Sequence, residues 1–167
     1  RSELPTSFLY EDGNYLEGTY INRNFEITDN MFAPSKSMLD DVSSVHFATK
    51  FDAGENLSVG LARYNQAGAS HNYQGAGSPI PGFSAVGPRT ELSISAMTLM
   101  GRYAFDDFSA IGGIKVSTIP DATADIFKLS GATTAASVEG GKDTGLIAGV
   151  AYERPEIALR VELLYEA

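Results

Sequence analysis

IALRVELLYEA (157–167) is the stretch whose reading decides the fold. Ile157, Leu159, Val161, Leu163 and Tyr165 fall on one face. Ala158, Arg160, Glu162, Leu164 and Glu166 fall on the other. Strict alternation over about ten residues is the period of a β-strand and not of a helix. A strand this long, apolar on one face and charged on the other, fits the wall of a membrane barrel, where about 9–11 tilted residues cross the bilayer. On that reading Leu159 is a mid-strand, lipid-facing residue, and its change to Arg costs about 2–4 kcal/mol in a bilayer.

Working back from this strand, about seven segments alternate in the same way. NYLEGTYIN (14–22) opposes Leu16, Gly18 and Tyr20 to Tyr15, Glu17, Thr19 and Ile21. SVHFATKF (44–51) opposes Val45, Phe47, Thr49 and Phe51 to Ser44, His46, Ala48 and Lys50. LSVGLARYNQ (57–66) opposes Leu57, Val59 and Leu61 to Ser58, Gly60 and Ala62. FSAIGGIKVSTI (108–119) opposes Phe108, Ala110, Ile114 and Val116 to Ser109, Gly113, Lys115 and Ser117. TGLIAGVAYE (144–153) turns Leu146, Ala148, Val150 and Tyr152 outward. TELSISAMTLMGRYAF (90–105) is less regular, because Leu92, Ile94 and Ala96 share one parity while Met97, Leu99, Tyr103 and Phe105 share the other. Two readings stand: a β-bulge or kink near Ser95–Met97, or a strand apolar on both faces. No segment has a convincing helical period.

The connections alternate too. Residues 52–56, 106–107 and 154–156 are tight and rich in Gly, Asn, Asp and Pro. Residues 23–43, 67–89 and 120–143 are long. Short turns at one end and long loops at the other are the habit of outer-membrane barrels. Phe51, Tyr103, Phe105, Phe108 and Tyr152 cluster beside the short turns, and Tyr20 lies at the far end of its strand, as an interfacial aromatic girdle would. The expected fold is therefore all-β: an antiparallel transmembrane β-barrel domain over 1–167. Seven strands leave two unpaired edges, so the chain is expected to be an N-terminal part of a larger barrel.

Composition bounds function. The 167 residues carry 12 basic and 21 acidic side chains, a net charge of −9, which repels phosphate backbones and argues against nucleic-acid partners. With no cysteine, thiolate metal sites, disulfides and cysteine nucleophiles are excluded. No run of about 18 apolar residues marks a transmembrane helix.

Catalysis has little support. His46 stands beside Ser44 on one strand face, which is side-by-side placement rather than an arranged triad. His71 falls in a polar loop. Asp40, Asp41, Asp121 and Asp125 match no calcium-loop spacing. GAGSPIPGF (75–83) lacks the following helix and the Lys-Ser/Thr of a phosphate cradle. The expectation is no catalytic residue, no metal and no cofactor.

Two residue sets are candidate sites. Ile80, Phe83 and Val86, with Ile126, Phe127 and Leu129, place large apolar side chains in long loops. Such loops fold over the barrel mouth, offer a landing groove for a hydrophobic ligand, or do both. Glu17, His46, Lys50, Lys115, Glu153, Arg160 and Glu162 form a polar interior set. The same alternation is compatible with a soluble all-β binding module or with a structural or adhesive barrel.

FLYEDGNYLEGTY (8–20), LMGRYAFDDFSAIGGIKV (99–116) and GLIAGVAYERPEIALRVELLYEA (145–167) resemble, in order, segments of the FadL-like outer-membrane transporters of long-chain fatty acids and aromatic hydrocarbons. The resemblance implies a bacterial outer-membrane location, contact with bilayer and lipopolysaccharide, and passive uptake of a fatty acid or hydrocarbon. It also implies a barrel with about twice the strands counted here, a loop groove, and a kinked strand that opens a lateral path. Family members carry an N-terminal hatch, typically with an Asn-Pro-Ala run. This chain has no such run.

Overall fold

The structure, a computed structural model, describes residues 4–24, 26, 37, 39–72, 89–129 and 132–167, with side chains except at 69, 124–129 and 132–135. It is all-β: an antiparallel sheet that curls into a half-barrel. The strands are β1 (Tyr15–Arg23), β2 (Val42–Asp52), β3 (Leu57–Asn72), β4 (Arg89–Phe105), β5 (Phe108–Ile119), β6 (Ala122–Leu129), β7 (Ala132–Val138), β8 (Gly141–Arg154) and β9 (Leu159–Glu166). The main path runs β1-β2-β3-β4-β5-β8-β9, with β6 and β7 off it. Among the described residues, β1 and β9 each have a strand neighbour on one side only.

Register follows the pleat. Phe105 pairs with Phe108 around a two-residue turn in which Asp106 holds φ 49°, a left-handed conformation that Asp tolerates. From there β4 and β5 stay paired without interruption to Ser95 and Thr118. The β8–β9 turn is a 3-10 turn, Pro155–Ile157, closed by Ala158 at φ 52° with its N–H on the Pro155 carbonyl. Backbone bonds also tie the turns to their neighbours: Ala104 donates to the Asn56 carbonyl and Glu153 to that of Asp107, both at 2.8 Å.

Four sequence expectations need correction. The extra residue lies in β3, not in β4: pairing slips between Asn65 and Ala67 opposite Ser95 and Ile94. The bulge re-aims Gln66 so that its carbonyl accepts the Ser117 hydroxyl at 3.0 Å, reaching over the small Ala96. β4 itself is apolar on both faces. Next, the stretch 120–143 is not all loop, since β6 and β7 pair along it from Ala122↔Val138 to Leu129↔Ala132. β3 likewise runs on to Asn72, so His71 is a strand residue bridged to Leu39. Finally, Ile157 belongs to a turn and Leu159 opens β9, so Leu159 is a strand-end residue rather than a mid-strand one.

Pairing also lapses at the long-loop end. β4 leaves β5 at Ser95↔Thr118 and next meets a partner at Arg89↔Asp125 on β6. The carboxylate of Asp121 secures this corner by accepting the Gly140 N–H at 2.6 Å.

The two faces of the sheet differ sharply. Leu16, Val45, Phe47, Phe51, Leu99, Tyr103, Phe105, Phe108, Ile114, Leu146, Val150, Val161 and Leu163 are all exposed and share the outward parity; Leu163 is 74 % exposed. Phe105, Phe108 and Tyr152 form an outward aromatic row beside the short turns, with centroids 6.1 and 5.0 Å apart. The buried residues share the inward parity: Ala48, Ala62, Tyr64, Ala96, Thr98, Met100, Ser109, Ile111, Lys115 and Ile147.

Candidate functional site on the concave face

At its middle the inward parity of β2 and β3 is small, with Ala48, Gly60 and Ala62, and this leaves a hollow in the sheet. The N-terminal segment fills it. Ser7–Tyr10 is a 3-10 turn in which the Leu9 N–H donates to the Thr6 carbonyl at 2.9 Å. So tight a turn points Phe8 and Leu9 into the hollow, where they are 2 % and 0 % exposed and pack with Met100, Ile111 and Ile147. Each such burial contributes about 1.5–3 kcal/mol. Gly60 is needed for the approach, since a Cβ there would stand 2.7 Å from Leu9 Cδ2 and closer still to the Phe8 ring.

Around this apolar centre Lys50, Lys115 and Arg102 are ion-paired, while Tyr10 Oη, Ser109 Oγ, Arg102 Nε and Glu162 Oε1 are buried without a hydrogen-bond partner among the described residues. Lys50 Nζ meets Asp52 at 2.8 Å and also donates to the Glu11 carbonyl, while Ser58 donates to the same aspartate at 2.8 Å. Arg102 binds Glu153 at 2.6 Å. Lys115 pairs with Glu166. Tyr10 lies within 4.3 Å, centroid to guanidinium carbon, of both Arg102 and Arg160, a double cation–π contact. Thr6 donates its hydroxyl to Glu162 at 2.9 Å. Paired charges are what a partly buried face demands, because a lone buried charge is costly. Burial, with the Glu162 carboxylate second, pushes the Tyr10 phenol up to about 12.

The structure puts the whole expected polar set on the inward parity. Lys50, Lys115, Glu153, Arg160 and Glu162 belong to the contacts just described. Glu17 accepts from the Tyr15 and Thr19 hydroxyls at 3.1 and 2.8 Å, within β1. His46 Nε2 lies 3.4 Å from both Ser44 Oγ and the Asn65 N–H. Of the apolar loop set, Ile80, Phe83 and Val86 lie outside the described residues. Ile126, Phe127 and Leu129 lie on β6, with their side chains outside those described. Asp40 accepts from Ser70 and Asn72, at 3.1 and 3.5 Å. Among the described residues, no three His, Asp or Glu side chains converge as metal ligands, and no helix is long and apolar enough to cross a membrane.

Sequence reasoning missed Arg102 and Asp52 as interior charges and the whole N-terminal turn, and left Glu166 out of the polar set although alternation put it on the charged face. Arg102 shares parity with Ala96, Thr98 and Met100, and that signal could have found it. The turn is too short to carry a period.

Among the described residues, three hollows accompany this arrangement. One of about 190 Å³ lies between the N-terminal turn and β1–β3, lined by Pro5, Ser7, Glu17, Thr19, His46 and Tyr64, among others. One of about 220 Å³ lies beside the bulge, lined by Arg23, Val42, Ser44, Asn65, Gln66 and Gly68, among others. A wider one of about 450 Å³ lies where β4 parts from β5, between Arg89, Glu91 and Ser93 on one side and Pro120, Asp121 and Thr123 on the other. The first two are below the usual size of a drug-sized ligand site.

Comparison with protein-family models, curated proteins and solved structures returns no match.

Proposed function

We propose that this chain is part of the wall of a FadL-like bacterial outer-membrane β-barrel, of which it forms the N-terminal portion, and that the barrel passes hydrophobic small molecules passively. One observation carries the reading: a curled antiparallel sheet turns its large apolar residues outward and its ion pairs inward. A soluble monomer rarely exposes so wide an apolar surface. Lipid would cover it, and water would wet the concave face.

Further support comes from the position of the aromatic row beside the short turns, where an interface girdle would sit. The long connections then face outside the cell. The N-terminal turn in the hollow fits a hatch, formed here by Phe8 and Leu9 without an Asn-Pro-Ala run. The bulge at Gln66, with the hollow beside it, fits the kinked wall strand of the family.

The experiment is uptake of radiolabelled hexadecanol by cells expressing the intact gene, against cells with empty vector. The reading expects faster uptake and recovery of the protein in the outer-membrane fraction, extractable only with detergent. Equal uptake, or recovery in buffer without detergent, would sink it.

A further inference from the structure

The charge arrangement on the concave face bears on which hydrophobic molecules could pass. We infer that the interior selects uncharged hydrophobic molecules, such as hydrocarbons, long-chain alcohols and esters, against carboxylate anions of the same chain length. The inference rests on the transport reading above.

Below Arg23, an exposed residue at the long-loop end of β1, the described concave face carries four cations: Lys50, Arg102, Lys115 and Arg160. Six carboxylates share that face: Glu17, Asp52, Asp143, Glu153, Glu162 and Glu166. Lys50, Arg102 and Lys115 are each taken by a carboxylate. Arg160 lies over the Tyr10 ring, stands in register with Glu153, and is two residues from Glu162 on the same face. Among the described residues Arg160 makes no ion pair, but it stands between these two carboxylates, and the face as a whole carries more carboxylates than cations; Glu17 among them is bonded by the Tyr15 and Thr19 hydroxyls.

A hydrocarbon tail carries the same apolar surface whatever its headgroup. A carboxylate headgroup would be desolvated there against this excess of negative charge, and that raises the barrier for the anion alone. A hydroxyl or ester makes no such demand.

The test is competition at neutral pH between radiolabelled hexadecanol and hexadecanoate for uptake into cells expressing the intact gene, corrected for cells with empty vector. The expected result is a preference for the alcohol of about tenfold or more. Equal or faster gene-dependent uptake of hexadecanoate overturns the inference while leaving transport standing. Uptake of neither compound overturns the transport reading. A second arm uses Glu153→Gln, which removes the partner of Arg102. The ratio of carboxylate to alcohol uptake should rise severalfold in this variant, and an unchanged ratio counts against the inference. If the variant fails to fold, the wild-type competition still decides.

Discussion

Thr6 donates a hydrogen bond to Glu162 at 2.9 Å across 156 positions of chain. It ties the first described residues to the last strand of the sheet. Together with Phe8 and Leu9 it makes the N-terminal turn a part of the core rather than a tail. The half-barrel curves around this turn, which meets the concave face through Phe8 and Leu9 at its centre and through polar contacts of Thr6 and Tyr10 beside them.

If the turn is core, truncating it destabilises the fold. Leu9→Ala should cost about 2–5 kcal/mol and Phe8→Ala about 3–5 kcal/mol, measured by denaturant unfolding in detergent or lipid. Thr6→Ala should cost about 1–3 kcal/mol, because it leaves a partly buried carboxylate short of a donor. A loss below about 0.5 kcal/mol at Leu9 would mean that the turn does not occupy the hollow.

Gly60 is the complementary test from the sheet side. Gly60→Val places atoms where the Phe8 ring and Leu9 lie, and should cost about 1–3 kcal/mol. In a chain already carrying Phe8→Ala and Leu9→Ala the same change should cost little. Additive costs in this double-mutant comparison would contradict the contact.

Tyr10 supplies a titration. It lies in the N-terminal turn, outside the strands, and its phenol is pushed up to about 12, first by burial and then by Glu162. Following phenolate absorbance in the folded protein should show a tyrosine titrating near pH 12, absent in Tyr10→Phe. The sign for stability follows from the raised value. The phenol's contribution is fully present below its ordinary value of 10.0 and is lost as pH rises through about 12, because only the unfolded chain ionises in that window. Tyr10→Phe should therefore flatten the fall in stability above pH 10.

Ala158 closes the β8–β9 turn at φ 52°, where a side chain is strained. Ala158→Gly should stabilise by up to about 1 kcal/mol, the relief of strain being partly offset by a freer unfolded chain. A thermal or denaturant midpoint that falls would show that the turn does not hold this conformation.

Most of the wall could be read from the sequence, because period 2 is local and strong. β5 is bounded at Phe108–Ile119 as its alternation predicts, and the facing of β8 agrees residue by residue from Gly145 to Glu153. What escaped lacked such a signal. β7, ATTAASV, alternates only small residues, so the β6–β7 hairpin hid inside a stretch rich in Gly and Thr. The far end of β3, with Asn65, Gln66, Ser70 and Asn72, is polar on both parities around a bulge, and alternation fails there. The parity switch in β4 marked the right level of the sheet but the wrong strand, since an extra residue in β3 disturbs the pairing of both. At the candidate site, alternation gave each strand's facing but not which charges meet. The contacts Arg102–Glu153 and Lys115–Glu166 depend on register across strands far apart in sequence.

The central claim is that the outward apolar face meets lipid. The chain has no cysteine, so single cysteines can be placed and spin-labelled one at a time in the intact protein reconstituted in vesicles. Labels at Leu99, Ile114, Leu146 and Leu163 should be relaxed strongly by oxygen, which concentrates in lipid, and weakly by a water-soluble nickel chelate. Labels at the inward neighbours Thr98, Lys115 and Gly145 should show much weaker oxygen relaxation. Oxygen accessibility alternating with period 2 along β4, β5 and β8 is the predicted result. Outward labels relaxed by the nickel chelate as strongly as a label in the Ala53–Asn56 turn would contradict the account.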